Sequence, residues 1–253
     1  ESWLNDKSSN DTRGNILSIY FIVTFTFIGL GSFLLNFGSP INFDLFILVS
    51  ILLSLALIPI LLTTSNPPNF QNPKRLSFIE LYRLSPLGLI GALLTGLAHG
   101  AIFGLGAVYA KLNGFNNFEV SLFIVIITIF GAIFQWPIGV ISDKIDRRLV
   151  LILVTLIAAG ISILIIIFSL LSTLILFILV GIYAGMSLPM YSLVIAHTND
   201  YLKPDEIVAA SSSLGVTVGL GAIFGPLLSS YFMNIIGPNG LFVFLFFTHI
   251  TLG

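Results

Sequence analysis

Polar side chains are scarce in the long apolar runs of this chain, and those present recur at the spacing of an α-helix. In the run 86–110, four residues fall within about 40° of one line on a helix: Thr95, His99, Gly106 and Tyr109. Hydroxyl and imidazole groups on one face could bind a small polar solute. We therefore expect Thr95, His99 and Tyr109 to line a cavity.

His99 is the one ionisable side chain well inside an apolar run. An ionisable group at such a position indicates a function by default, here solute contact or proton coupling. No carboxylate lies at comparable depth to pass a proton on. The alternative is a neutral imidazole that hydrogen-bonds across helices, and both interpretations remain open. His197 and His249 lie near the ends of runs, where structural roles are favoured.

The run 173–197 shows a similar division into two faces. One face carries polar and soft side chains, namely Tyr183, Ser187, Met190 and His197, with Tyr191 at its edge. Small residues occupy the other face: Gly181, Gly185 and Ser192. Pro189 should bend this helix, because proline removes a backbone donor and clashes with the preceding turn. Tyr183, Ser187 and Tyr191 are further candidates for the cavity wall.

Two other stripes suggest contacts between helices. Gly96, Gly100 and Gly104 are spaced by four, and such glycines let helices approach closely in lipid. In the run 119–141, Gln135 falls on one line with Thr128 and Ser121. Gln135 could orient a polar solute or hydrogen-bond a neighbouring helix, and the second role is slightly favoured.

A charged loop, 137–148, lies between two runs that contain no Asp, Glu, Lys or Arg. Its charged residues are Asp143, Lys144, Asp146, Arg147 and Arg148. This pattern is typical of a tight turn at a membrane surface, where arginines lie among headgroups and an aspartate bonds backbone donors or a cation. Gly139 should let the end of one helix approach its neighbour closely.

The composition places the chain in a lipid bilayer. Hydrophobic residues make up 57% and charged residues 8%, against about 25% charged in soluble domains. A net charge of −1 without a large basic cluster excludes nucleic-acid binding. Since a spanning helix needs about 20 apolar residues, we predict eight spans. They are 16–37, 43–63, 86–110, 119–141, 149–168, 173–197, 207–235 and 241–253.

The distribution of basic residues supports this division. Nine of the ten Lys and Arg residues lie in the alternate loops 1–15, 64–85, 142–148 and 198–206, and only Lys111 lies in the other set. By the positive-inside rule, the starting end and the loop 64–85 are expected in the cytoplasm.

The loop 137–148 resembles the Gly-x-x-x-Asp-Arg-x-Gly-Arg-Arg signature of the major facilitator superfamily, secondary transporters built from two six-helix halves. Four residues fall on signature positions: Gly139, Asp143, Arg147 and Arg148. Lys144 and Asp146 replace its first arginine and second glycine. The segments 135–139 and 146–148 are similar to the YcaD-like branch.

The resemblance implies an all-α, polytopic membrane protein with about eight transmembrane helices of an expected twelve. The chain would run from the end of the fourth span into the twelfth. Its implied parts are 1–63, the end of the N-terminal half with two spans; 64–85, a cytoplasmic linker between bundles; and 86–253, a C-terminal six-helix half whose last span is truncated.

The resemblance also implies a gating contact. Asp143 lies at a helix end that disfavours an anion, so it needs a donor elsewhere. In relatives the loop aspartate of one half meets the start of a helix in the other half, which corresponds here to Arg13 and the two residues after it. We further expect Arg147 or Arg148 to approach Asp200. The alternative is that both arginines only reach lipid headgroups.

The function implied is secondary active transport of a small solute by rocking alternating access, with proton coupling left open. We expect a monomer in the bacterial inner (plasma) membrane whose partners are a small-molecule substrate and the lipid bilayer. No catalytic residue, cofactor or metal is expected, since motifs such as His-Glu-x-x-His and Gly-x-Ser-x-Gly are absent from the sequence. The alternative is a channel or a structural membrane subunit without carrier activity.

Overall fold

Apolar segments in a membrane fold as helices because a helix satisfies its backbone hydrogen bonds internally. The computed structural model describes residues 13–39, 41–62, 76–168, 171–203 and 206–253, with side chains from residue 23 onward except 207 and 208. The α-helices of these ranges are α1 (Arg13–Ser32), α2 (Asp44–Leu61), α3 (Phe78–Leu84), α4 (Pro86–Leu112), α5 (Asn117–Ser142), α6 (Arg147–Phe168), α7 (Thr173–Ser187), α8 (Met190–Asn199), α9 (Ile207–Ile236) and α10 (Gly240–Leu252). A 3₁₀ turn, Phe33–Asn36, extends α1, and the described ranges contain no strand.

The eight predicted spans correspond to these helices within a few residues. Six stretches are long and apolar enough to cross a membrane, and α7 and α8 together form one of them. Two shorter apolar helices, Val23–Asn36 and Gly240–Leu252, cover the described parts of the first and last predicted spans. The chain is therefore an all-α, polytopic integral membrane protein, as predicted.

The segment 64–85 contains a short helix, α3, that the sequence analysis did not predict. Ser77 caps α3 through a capping box with Glu80, whose carboxylate accepts a hydrogen bond from the Ser77 backbone N–H at 2.8 Å. These hydrogen bonds hold the pKa of the Glu80 carboxyl below its usual range. The Ser213 hydroxyl on α9 donates a hydrogen bond to the Leu76 carbonyl at 2.8 Å, which holds the segment before α3 against α9. Residues 63–75 lie outside the described residues, and the division of the chain into three parts remains a prediction.

Glycines hold α4 and α9 in close contact. A Cβ added at Gly96 or Gly100 would overlap the backbone of Val218 or Ala222 on α9. A Cβ at Gly104 would lie 2.8 Å from the Pro226 ring. The approach is mutual, because Cβ atoms added on α9 at Gly221 and Gly225 would overlap the α4 backbone. The predicted role of the Gly96, Gly100 and Gly104 stripe in helix contact is confirmed.

The N-terminal helices touch the rest of the chain unequally. α1 packs against α5, and an added Cβ at Gly29 would lie 3.2 Å from the Thr128 hydroxyl. By contrast, α2 has no buried residue. The core lies among α4, α5, α7 and α10, where large aromatic side chains are fully buried: Tyr109, Phe123, Tyr183 and Phe242.

Candidate functional site

The polar residues predicted on α4 and α7 meet inside the helical bundle. His99 Nε2 on α4 lies 3.0 Å from the backbone carbonyl oxygen of Ser187 at the end of α7. Thr95, Tyr183 and Ser187 are fully buried, whereas the His99 ring is partly exposed. In this conformation His99 is thus the member of the group that reaches a surface, and the other three form the interior behind it.

The break between α7 and α8 places the Ser187 carbonyl. Leu188 and Pro189 form a turn between the two helices, as the predicted bend at Pro189 requires. The last carbonyls of a helix lack partners within that helix. His99 therefore bonds a backbone group that the proline-induced helix end presents to α4.

Replacing Pro189 with alanine should let α7 and α8 join into one helix, because alanine restores the backbone N–H and removes the ring clash. We expect hydrogen exchange of the Met190 and Tyr191 amides to slow by about tenfold or more, which mass spectrometry on the protein in lipid nanodiscs would measure. Pro137→Ala is the matched control, since α5 runs through Pro137 without a break. Unchanged exchange at these two amides in Pro189→Ala would show that the proline does not cause the break.

A second histidine completes the cluster from α10. The Tyr183 hydroxyl lies 2.9 Å from His249 Nε2, and the Ser187 hydroxyl lies 3.5 Å from the same nitrogen. His249 is fully buried. Ser187 thus lies between two imidazoles, with its carbonyl on His99 and its side chain towards His249, so the cluster links α4, α7 and α10.

Two atoms of this region have no hydrogen-bond partner among the described residues, although both are buried: Thr95 Oγ1 and His249 Nδ1. Leaving a buried polar group unpaired costs about 1–3 kcal/mol, so such groups call for an explanation. The position of His249 near the end of an apolar run favours a structural role, and nothing in the sequence connects it with Tyr183. Only the packing of α10 against α4 and α6 brings its side chain to Tyr183, and no spacing in the sequence reports it.

The other predicted cavity residues lie apart from His99. Tyr109 is fully buried, packs edge-on against Phe242 at 4.9 Å between ring centroids, and its hydroxyl lies 3.5 Å from Asn239 Oδ1. Tyr191 is partly buried on α8. Gln135 Nε2 donates to the Ser192 hydroxyl at 2.7 Å, the bond to a neighbouring helix that the sequence analysis slightly favoured.

Charged groups at the helix ends form a second cluster. Arg147 bridges two carboxylates, with Nη2 2.9 Å from Asp143 Oδ1 and Nε 3.0 Å from Asp200 Oδ2. Asp143 and Asp200 cap the C-terminal ends of α5 and α8, and Arg147 is the first residue of α6. The helix dipole is unfavourable to an anion at a C-terminal end and to a cation at an N-terminal end, so all three charges lie at unfavourable helix ends. Their pairing offsets these three unfavourable interactions.

Arg148 lies beside this triad. Its guanidinium donates to the Tyr201 hydroxyl and lies 5.6 Å from the centroid of that ring. The predicted approach of an arginine to Asp200 is therefore present, and Arg147 makes it. The Arg13 side chain lies outside the described residues, so its contact with Asp143 remains a prediction.

The close approach expected at Gly139 remains a prediction. A Cβ added there would meet no atom within 4 Å in the described part of the chain, which leaves out the side chains at the start of α1. A close contact of α5 within the described residues lies at Gly131, where an added Cβ would overlap Leu188.

The α1–α5 contact contains its own polar group. The Ser121 hydroxyl donates to the Ser32 carbonyl at 2.8 Å, and the Ser32 hydroxyl donates to the Ser121 carbonyl at 3.1 Å. Asn36 Nδ2 donates to the Ser121 hydroxyl at 3.0 Å. We call these three residues the serine clasp. They lie at the end of the bundle opposite the Arg147 cluster, since α5 runs from one to the other.

Comparison with known proteins agrees with these features. The Major Facilitator Superfamily profile matches residues 2–199. Proteins described as uncharacterized MFS-type transporter YcaD are similar over 247 residues, with 26% identity in Escherichia fergusonii and 24% in Shigella flexneri. The alignments cover 97% of this chain and 63% of either relative, so the chain spans less than two thirds of their length. Polytopic helices, a charged turn between α5 and α6 and a matching profile lead to one conclusion: the chain belongs to the Major Facilitator Superfamily.

Proposed function

We propose that the protein is a secondary active transporter that moves a small solute across the membrane by alternating access, and that it is not an enzyme. In this proposal the segment with α1 and α2 rocks against the bundle formed by α4 to α10. Family membership supports transport, and the mechanism rests on the two polar contacts at opposite ends of α5.

The Arg147 cluster is the observation that carries the proposal. Its two ion pairs join the ends of α5, α6 and α8 while their carboxylates remain largely exposed, at 69% for the Asp143 side chain and 52% for Asp200. An exposed ion pair contributes about 0–1 kcal/mol. All three helices belong to the bundle of α4 to α10, so the cluster would hold the Asp143 loop in place within that bundle and present Asp143 to the other part of the protein.

The register of α1 against α5 indicates how the gate would close. Ser32 faces Ser121 and Gly29 faces Thr128, so the two helices run antiparallel. Continued towards the other end, this register would bring Asp143 towards the start of α1 at Arg13, which supports the proposed contact. The first backbone N–H groups of a helix lack partners and favour an anion. We propose that Asp143 binds there when this end is closed, with Gly139 to Arg148, Arg13 and Asp200 as the gating group.

The proposed solute path runs past His99. The partly exposed residues His99, Tyr191 and Gln135 would contact the solute, and the buried residues Thr95, Tyr109, Tyr183 and Ser187 would hold them in place. The Arg147 end is proposed to face the cytoplasm of a bacterial plasma membrane, by the distribution of basic loops. We propose a monomer that needs no cofactor or metal. Proton coupling is tested by the first experiment, which compares uptake under a proton gradient with uptake under a sodium gradient.

Transport is tested with the full-length protein in proteoliposomes. We expect saturable uptake that concentrates a solute above its external level under a proton or sodium gradient, with each gradient imposed alone to identify the coupling ion. Passive equilibration without accumulation would indicate a channel, and no movement under any gradient would indicate a structural subunit.

A reversible cross-link at the serine clasp tests the rocking motion. The chain contains no cysteine, so Ser32→Cys with Ser121→Cys creates one defined pair on helices already in hydrogen-bond contact. Oxidation should lower uptake at least tenfold, because α1 and α5 can no longer separate at this end, and a reductant should restore it. Each single cysteine variant is the control. Full uptake in the cross-linked protein would contradict separation at the clasp.

A further inference from the structure

We infer that His99 presents Nδ1 as a fixed hydrogen-bond acceptor, so the transported solute is a neutral molecule that donates O–H or N–H groups, such as a polyol or a sugar. The inference rests on the proposed function and adds the chemistry of the solute. It follows from the contact with Ser187, from the exposure of the ring and from the charges of the helices around it.

The Ser187 carbonyl determines which ring nitrogen carries the hydrogen. A carbonyl oxygen only accepts hydrogen bonds, so His99 Nε2 at 3.0 Å must donate. In a neutral imidazole the other nitrogen then has a lone pair and no hydrogen. Because a backbone carbonyl cannot change its role as a side-chain hydroxyl can, this contact leaves one tautomer.

Nδ1 is available to a solute. No hydrogen bond to it is found in the described part of the chain, and His99 is a partly exposed residue. Phe103, one turn further along α4, is 37% exposed on the same side. Gly96 and Gly100 turn the adjacent face of α4 towards α9, so the exposed ring edge lies between the contact with α9 and the contact with α7.

The surroundings favour a neutral partner. In the described residues, the helices packed against α4 have no Asp, Glu, Lys or Arg at the level of His99. Besides His99, the titratable groups of these helices and of α4 are Tyr183 and His249 in the cluster itself, Tyr191 and His197 on α8, Tyr231 on α9, Tyr109 on α4, and end groups, namely Glu119 on α5, Lys111 on α4, and Glu80, Tyr82 and Arg83 on α3. A charged solute or an imidazolium would stay uncompensated there, which is costly in an apolar interior.

Nitrogen-15 NMR of the full-length protein with labelled histidine tests the tautomer without a solute. The His99 signals are assigned by their loss in His99→Gln. We expect a protonated Nε2 and an unprotonated Nδ1 at neutral pH. A protonated Nδ1 would overturn the inference and leave the proposed transport intact.

The solute class is tested with neutral probes on the same protein. Glycerol, myo-inositol and glucose are each compared with their fully O-methylated forms, which accept hydrogen bonds and do not donate them. We expect thermal stabilisation by at least one parent compound and at least a tenfold weaker apparent affinity for its methylated form. A tenfold change in affinity corresponds to about 1.4 kcal/mol, which is the size expected for one lost hydrogen bond.

Two variants distinguish the hydrogen-bond acceptor of His99 from the space that its side chain fills. Glutamine can donate its amide to the Ser187 carbonyl and offer its own oxygen to the solute, so His99→Gln should bind the parent compound within about threefold. His99→Leu should lose at least tenfold. No response to any probe, or equal binding of parent and methylated forms, would reject the solute class. Accumulation of a charged solute would also reject the solute class, but it would support the proposed transport function.

Discussion

Replacing Gly100 with alanine is expected to destabilise the protein by overpacking the contact between α4 and α9. The new Cβ would lie 2.5 Å from the Ala222 carbonyl oxygen and 2.6 Å from its Cα, and both are backbone atoms that cannot rotate away. α9 must therefore move along a contact that Gly96, Gly221 and Gly225 keep equally close. Overpacking of this kind costs about 1–3 kcal/mol, and Gly100→Leu should give no correctly folded protein.

Gly219→Ala on α9 is the matched control, because a Cβ there meets nothing within 4 Å in the described structure. It should leave the thermal midpoint unchanged or slightly higher, since alanine favours the helix. The measurement is thermal unfolding of both purified variants in detergent, followed by tryptophan fluorescence and by the monodisperse fraction on size exclusion. Equal midpoints for Gly100→Ala and Gly219→Ala would show that the α4–α9 contact is not limited by backbone approach.

Asp143→Asn should alter the conformational equilibrium with little change in stability. The asparagine keeps the size of the side chain and loses the ion pair with Arg147, together with the proposed bond to the start of α1. An anion at a helix N-terminus contributes about 0.3–1 kcal/mol, so loss of the proposed bond to α1 should shift the population towards the state open at the Arg147 end by up to about fivefold. Uptake should fall by a similar factor, while expression and the thermal midpoint stay close to the parent values.

Asp146→Asn provides the comparison three residues away. Asp146 Oδ1 accepts a hydrogen bond from the Arg148 backbone N–H at 2.8 Å, and asparagine caps a helix as well as aspartate does. It removes the same charge from the same loop, so it should leave uptake within about twofold. If both variants reduced uptake alike, loop charge in general would explain the effect and the specific role of Asp143 would be lost.

The sequence was informative where one helix face repeats a residue type. The four-residue glycine spacing on α4 predicted contact with a helix, and the structure identifies α9 as the partner. Pro189 predicted the break, because proline acts on its own backbone and needs no partner. Local chemistry also predicts α3 through Ser77 and Glu80, and this signal was overlooked within a loop rich in proline and asparagine.

Contacts between distant segments could not be derived in this way. His249 reaches Tyr183 and Ser187 only because α10 packs against α4 and α6, and its position near the end of an apolar run favours a structural role. The Ser32–Ser121 pairing likewise depends on the register of α1 against α5. A glycine in a helix permits close approach but requires none, so Gly139 alone does not identify the segment beside it.

Alternating access is tested most directly by measuring distances at both ends of the protein. In a cysteine-free background, spin labels at Leu62 and Lys144 report the Arg147 end, and labels at Phe37 and Leu112 report the clasp end; all four positions are exposed. Pulsed electron resonance measures the distribution of distances for each pair. In Asp143→Asn, a larger fraction of molecules should show the long distance for the first pair and the short distance for the second pair. Unchanged distributions, or lengthening of both pairs together, would contradict a rocking transporter with one gate at each end.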